Sequence, residues 1–322
     1  MEKIYKSLLV AGSSILLTAS AFAQLHGVYT INPAAAASAT NYQTLASVVT
    51  DITVGTRADG GPVQGFGVSA SVTINISSGT YNEYVFIPEI IGASQTNTII
   101  FQSAIANSSS VTISSSNSQV VYVNGADNIT FKNLTFTQTG YGKVIYFQNG
   151  SNFLTINSCV LNGTHSQTND ENIGIITSFD GLDSNVTIIN NTINYGSNGV
   201  NFRSSPDYER NNIIQNNTFN NQVNVAVYLA SMDGVVITGN NITTNNGSSL
   251  YGMFITDCIN ATTITKNQIL GNENGLGIYL ASNTNGSALK RGLVANNFIS
   301  IKGSNYENFG IKSQTRSEEH TS

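Results

Sequence analysis

The stretch IINNTI at residues 188–193 recurs as IQNNTF (214–219), ITGNNI (237–242), ITKNQI (264–269) and VANNFI (294–299). In each copy one asparagine (Asn191, Asn217, Asn240, Asn267 or Asn297) follows an aliphatic residue by three positions and precedes an apolar one by two, at spacings of 26, 23, 27 and 30. Two degenerate copies, FKNLTF (131–136) and INSCVL (156–161), come earlier. A β-rich unit this short cannot bury its apolar face alone, so successive coils must stack to make the core. A buried amide inside an apolar frame costs a few kcal/mol unless it is paired, and identical amides one strand spacing apart pair with each other. The pattern predicts an all-β solenoid: a single-stranded parallel β-helix with an inward asparagine ladder.

A second strand per coil supports this register. GIITS (174), GVNFR (199), AVYLA (226), GMFIT (252), GIYLA (277) and GIKS (310) align on a small residue followed by alternation. That alignment turns Ile175, Val200, Val227, Met253, Ile278 and Ile311 inward, with Thr177, Phe202, Leu229, Ile255, Leu280 and Ser313 two residues on. The residues between them, Tyr146, Ile176, Asn201, Tyr228, Phe254, Tyr279 and Lys312, then face out.

Upstream, Leu45, Val48, Val49 and Ile52 form one apolar stripe at helical spacing, followed by Gly55 and a Gly60-Gly61-Pro62 turn. A short N-terminal helix here would cap the open end of the stack. Strands are expected from Val72–Ile76 onward, giving about nine or ten coils and a rod of ~45 Å. Cys159 falls in the ladder column and Cys258 in a turn four coils away, ~19 Å at one strand spacing per coil. Two free thiols are expected.

Charged residues are only 10% of the chain against roughly 25% in ordinary soluble domains. With a net charge of −5 and no Lys/Arg run, nothing offers nucleic acid or an anionic membrane an electrostatic footprint. Residues 1–23 read as a signal peptide: Lys3 and Lys6 precede an apolar run from Leu8 to Leu17, and Ala21-Phe22-Ala23 is a cleavage site before Gln24. That run is about half the ~20 residues a spanning helix needs, so no transmembrane segment is expected in the mature chain. The protein should be secreted or displayed at the cell surface, with one β-helix domain over 24–314. The final RSEEHTS (316–322) resembles a translated sequencing adapter, so 315–322 is read as a non-native tail and the natural protein as longer.

The segments GVYTINP, NYQTLASVVTDI, VTINISSGTYNEYVFIPEI, TNTIIFQS and NITFKNLTF, followed by NVTIINNTI-type coils, resemble the secreted right-handed parallel β-helix proteins of Bacteroidetes-type bacteria, in the pectate-lyase-like superfamily. The resemblance spans about residues 27–314. It implies a right-handed helix and a function within a range that includes polysaccharide lyases, hydrolases, esterases and non-catalytic surface proteins. SGTYNE (78–83) is similar to the opening coil of pectin methylesterases, but the Gln-Asp-Thr segment they carry after their central cysteine does not follow Cys159. Of the polygalacturonase segments only Gly310-Ile311-Lys312 echoes one. No complete catalytic motif is present.

Several groups are candidates for chemistry. Tyr146, Tyr228, Phe254 and Tyr279 would form an outward aromatic strip, either a platform for sugar rings or a ladder that stabilises the sheet. Asp180, Asp207, Asp233 and Asp257 follow the same strand in successive coils, with Asp183 and Arg203 nearby. On neighbouring coils they could share calcium, with Arg203 as base or charge stabiliser in a β-elimination. Their uneven offsets equally suit turns in which Asp bonds its own backbone, and Asp127, Asn152 and Asp233 each sit two residues before a strand. The longest coil carries an insertion with His165, Asp170 and Glu171, which reads as a solvated loop. The leading expectation is a protein that binds extracellular polysaccharide or serves as an adhesive stalk; no cofactor is expected, although the acids could take calcium. A polysaccharide lyase or glycoside hydrolase is the alternative.

Overall fold

What bends each coil is the residue just before the ladder position. Asn133, Ser158, Asn190, Asn216, Gly239, Lys266 and Asn296 all have φ between 53° and 68°. This left-handed conformation suits asparagine and glycine. It turns the chain from one strand into the next within two residues, and the following side chain then points inside.

A computed structural model describes residues 24–165, 168–179, 182–205, 207–244, 250–271, 275–282, 291–302 and 308–314. Among these, three parallel sheets run the length of a β-helix, with eleven, nine and nine strands. Each coil contributes one strand to each sheet, so nine coils stack from Val68 to Gln314. The interior is filled by columns of like residues. Phe131, Ile156, Ile188, Ile214, Ile237 and Ile264 are in register in the first sheet. Phe136, Leu161, Ile193, Phe219, Ile242 and Ile269 match them in the second. All twelve are buried.

The ladder is present as a continuous column. The backbone N and the Nδ2 of Asn191, Asn217, Asn240 and Asn267 each donate to Oδ1 of the next asparagine, at 2.9–3.0 Å, ending on Asn297. The second Nδ2 hydrogen goes to a carbonyl of the preceding coil, such as Ile214 O for Asn240. Cys159 continues the column upstream and donates its backbone N to Asn191 Oδ1 at 2.8 Å. Both cysteines are free and buried.

The N-terminal helix spans Leu45–Val54, with Thr44 capping its start and Gly55 closing it in the left-handed conformation. The Glu83 carboxylate also accepts from the backbone N of Leu45 and Ala46, where a helix favours negative charge. The stripe Leu45, Val48, Val49 and Ile52 is buried. One expectation is corrected here. The strands do not begin after the helix: Leu25–Ile31 precedes it and pairs in parallel with Val68–Ile76. The end of the first sheet is therefore built by a strand as well as capped by a helix.

A second correction concerns register. In the third sheet Ile176, not Ile175, pairs with Val200, so Thr177 lies beside Asn201 in the outward row and Ser178 beside Phe202 in the inward one. Gly174 closes a short 3-10 turn over Glu171–Ile173, whereas Gly199 sits at the inner corner. A Cβ on Gly199 would lie 2.5 Å from Ala226 O and 2.7 Å from the Phe219 ring. The two glycines answer different demands, and aligning them shifts the coil by one residue. A one-residue slip exchanges the two faces of a strand.

Candidate functional site

The outward row of the third sheet is, in register, Phe86, Tyr122, Tyr146, Thr177, Asn201, Tyr228, Phe254, Tyr279 and Lys312. Rings one coil apart meet face to face: Tyr122 and Tyr146 at 5.2 Å, Tyr228 and Phe254 at 4.9 Å, Phe254 and Tyr279 at 5.1 Å, with interplanar angles of 22°, 18° and 7°. Thr177 and Asn201 interrupt this row, yet the chain of contacts continues along the neighbouring one. Phe179 meets Tyr146 edge-on at 6.3 Å. The Arg203 guanidinium lies 4.4 Å from the Phe179 centroid and 5.5 Å from that of Tyr228. Lys312 closes the far end, 5.3 Å from Tyr279. Rings stacked this closely turn their edges, not their faces, to solvent.

The break in the row is where polar chemistry collects. An open cleft of about 900 Å³ is lined by Lys143, Tyr146, Phe179, Asn224 and the 168–172 segment of the insertion. Lys143 Nζ lies 5.3 Å from the Tyr146 centroid and 5.7 Å from that of Phe179. Burial holds the Lys143 ammonium below its usual range, partly offset by the Glu171 charge. Glu171 forms an ion pair with Arg203. Beside them Asn201 is wholly buried, and neither its amide nitrogen nor its oxygen has a hydrogen-bond partner among the described residues; the same holds for Thr177 Oγ1.

Of the four aspartates, the three that the structure describes, Asp207, Asp233 and Asp257, do not line this cleft. Asp180 lies outside the described residues. Asp207 and Asp257 are exposed, the latter accepting from Thr256 Oγ1 at 2.9 Å. Asp233 serves its turn, accepting from Asn260 Nδ2 and lying 3.5 Å from Arg210. Asp127 does the same, accepting from the backbone N of Asn152 at 2.6 Å. Among the described residues Arg203 pairs with Glu171 rather than with Asp207, Asp233 or Asp257. Among the described residues no three His, Cys, Asp or Glu side chains form a metal-sized group.

Two buried acids form a separate cluster. Ser178 Oγ lies 2.6 Å from Asp183 Oδ2 and 3.0 Å from Glu209 Oε1, and both acids have no exposed surface. One hydroxyl proton cannot serve two carboxylates, so a neutral carboxyl must donate to Ser178 while Ser178 donates to the other. Burial pushes the Asp183 carboxyl up as well, but the bonds it accepts from Ser178 and from the backbone N of Ser151 work against that. Burial, then the Asp183 charge, pushes Glu209 up to about 9, and the proton belongs there. Glu209 also accepts from Asn212 Nδ2 at 3.1 Å.

Sequence reasoning passed over Phe86, Tyr122, Phe179, Lys143 and Glu209. Phe86 and Tyr122 were legible from the alternation in YVFIP and VVYVN; Phe179 was hidden by the register slip. Lys143 and Glu209 carry no sequence signal, because their surroundings come from other coils.

A β-helix whose outer wall bears one line of aromatic and cationic side chains is the class these features define. The chain belongs to the family described as right handed beta helix region, which matches residues 119–299. No curated protein matches it. Among solved structures it is similar to a mannuronic acid specific polysaccharide family 6 lyase enzyme from human gut microbiota, at 12% identity and a TM-score of 0.38, covering 89% of this chain and 83% of that one. Among the described residues no helix is long and apolar enough to cross a membrane.

Proposed function

We propose that this is a secreted or cell-surface protein that holds extracellular polysaccharide against the outer wall of its third sheet. The observation that carries the reading is the cleft at the break in the aromatic row, lined by Lys143, Tyr146 and Phe179, with Arg203 resting on the Phe179 ring. An elongated polymer suits an open groove on a rod. The cations and the amide side chain of Asn224 can bond sugar hydroxyls, while the rings hold the cations in place. The stacked rings on either side, Tyr228, Phe254 and Tyr279 among them, contribute edges and wall stability.

Affinity electrophoresis through gels containing neutral or acidic polysaccharides tests this. Wild type should be retarded by at least one of them. A Lys143→Met, Phe179→Ala double variant should lose at least tenfold in affinity, and Tyr279→Ser, at the far end, less than threefold. Equal loss at both places would argue for a stalk whose whole wall is adhesive.

A lyase is the second reading, favoured by one observation: burial lowers the pKa of Lys143 beside Arg203. Those are the attributes of a base and a charge stabiliser in β-elimination. The binding reading expects no rise in unsaturated-uronate absorbance from pectate or alginate, with or without calcium. A rise abolished by Lys143→Met would make the protein a lyase.

A further inference from the structure

The insertion brings an acid, Glu171, against the two cations of the site. Glu171 reaches Arg203 from 32 residues away, and its charge also acts on Lys143. Neither cation depends on it for position. The Arg203 backbone is in register between Phe179 and Ala230, and its guanidinium rests on the Phe179 and Tyr228 rings. The ammonium of Lys143 rests on Tyr146 and Phe179.

We propose that Glu171 is an internal stand-in for the carboxylate of an acidic sugar: it neutralises Arg203 in the free protein, and a ligand carboxylate takes its place on the guanidinium. This rests on the polysaccharide reading above and names its ligand class, a glycan bearing uronate-type carboxylates. Three features fit an exchangeable contact. The Glu171 and Arg203 side chains are 46% and 31% exposed, so a ligand can reach them, and a pair that open is held weakly. The turn itself is pinned elsewhere, by buried Ile173 and by Asp170, whose side chain accepts from the backbone N of Asn172 at 2.8 Å. Glu171 can therefore swing away without unravelling the turn. Finally, Glu171 meets the guanidinium through Oε2 on Nη2, whereas a guanidinium can hold a carboxylate by two parallel bonds. Asp170, the other acid at the cleft, is already committed to the turn.

The test compares one polymer in two charge states: oligogalacturonate and its fully methyl-esterified form, titrated calorimetrically against wild type, Glu171→Gln and Arg203→Gln. The expected result is a ratio of acid to ester affinity that rises about tenfold in Glu171→Gln and falls to near one in Arg203→Gln, with unfolding midpoints of all three within a few degrees. An unchanged or lowered ratio in Glu171→Gln, with wild type binding either oligomer, overturns the stand-in and leaves the polysaccharide reading intact. If neither oligomer binds wild type or Glu171→Gln, and no polysaccharide retards wild type in the gels, both fall together.

Discussion

Asn240 and Asn201 are the same residue in two regions of one solenoid, both buried, and they have opposite fates. In the ladder coils each amide bonds the coils on either side of it. In the outward row, at the break, Asn201 finds no partner among the described residues at either amide atom. The regular coils satisfy polar groups by repetition, since the next coil supplies the same group one strand spacing away. Where an insertion breaks the repeat, that guarantee lapses. An unpaired amide, two aromatic-bound cations and an acid from the insertion then occur together, and such departures from local consistency are where function concentrates.

The largest effect should come from breaking the ladder. Replacing Asn240 by Leu orphans the backbone N of Asn217 and removes the donor from Ile214 O. It should cost about 3 kcal/mol or more, since each buried orphan costs about 1–3. Chemical denaturation measures it, and an unchanged midpoint would mean that the ladder is not what joins the coils.

The acid cluster sharpens the comparison through pH. Glu209 is held protonated in the folded protein up to about 9, but in the unfolded chain it ionises near the ordinary value of about 4.3. The folded state therefore binds the extra proton between these values. The stabilisation is complete below the lower value and is lost progressively as pH rises toward the higher. Wild type should lose stability steadily between pH 5 and 9, and Glu209→Gln should flatten that dependence. A wild-type profile equally flat would place the shared proton elsewhere.

The smallest effect, and the most discriminating, is expected at the break. Asn201→Leu removes two unpaired polar atoms along with the amide, so it should be neutral or stabilise by about 1 kcal/mol. A cost as large as that of Asn240→Leu would show Asn201 to be structurally bonded and erase the contrast between the regions.

The repeat, the inward asparagines, the capping helix and the free cysteines follow from the sequence, because each depends on a short local pattern or on counting coils. The aromatic strip was half legible: alternation placed Tyr228, Phe254 and Tyr279, but gave no reason for Phe179 to bridge the break. Only the tertiary structure decided the register at Ile176, since a glycine closing a turn and a glycine at a crowded corner look alike in sequence. It likewise decided that Glu171 meets Arg203 and that Glu209 shares a proton chain with Asp183 through Ser178. What surrounds a side chain in a solenoid is set by the coils above and below it. Wherever the coils repeat, one coil describes its neighbours; where an insertion changes the length, the neighbours must be seen.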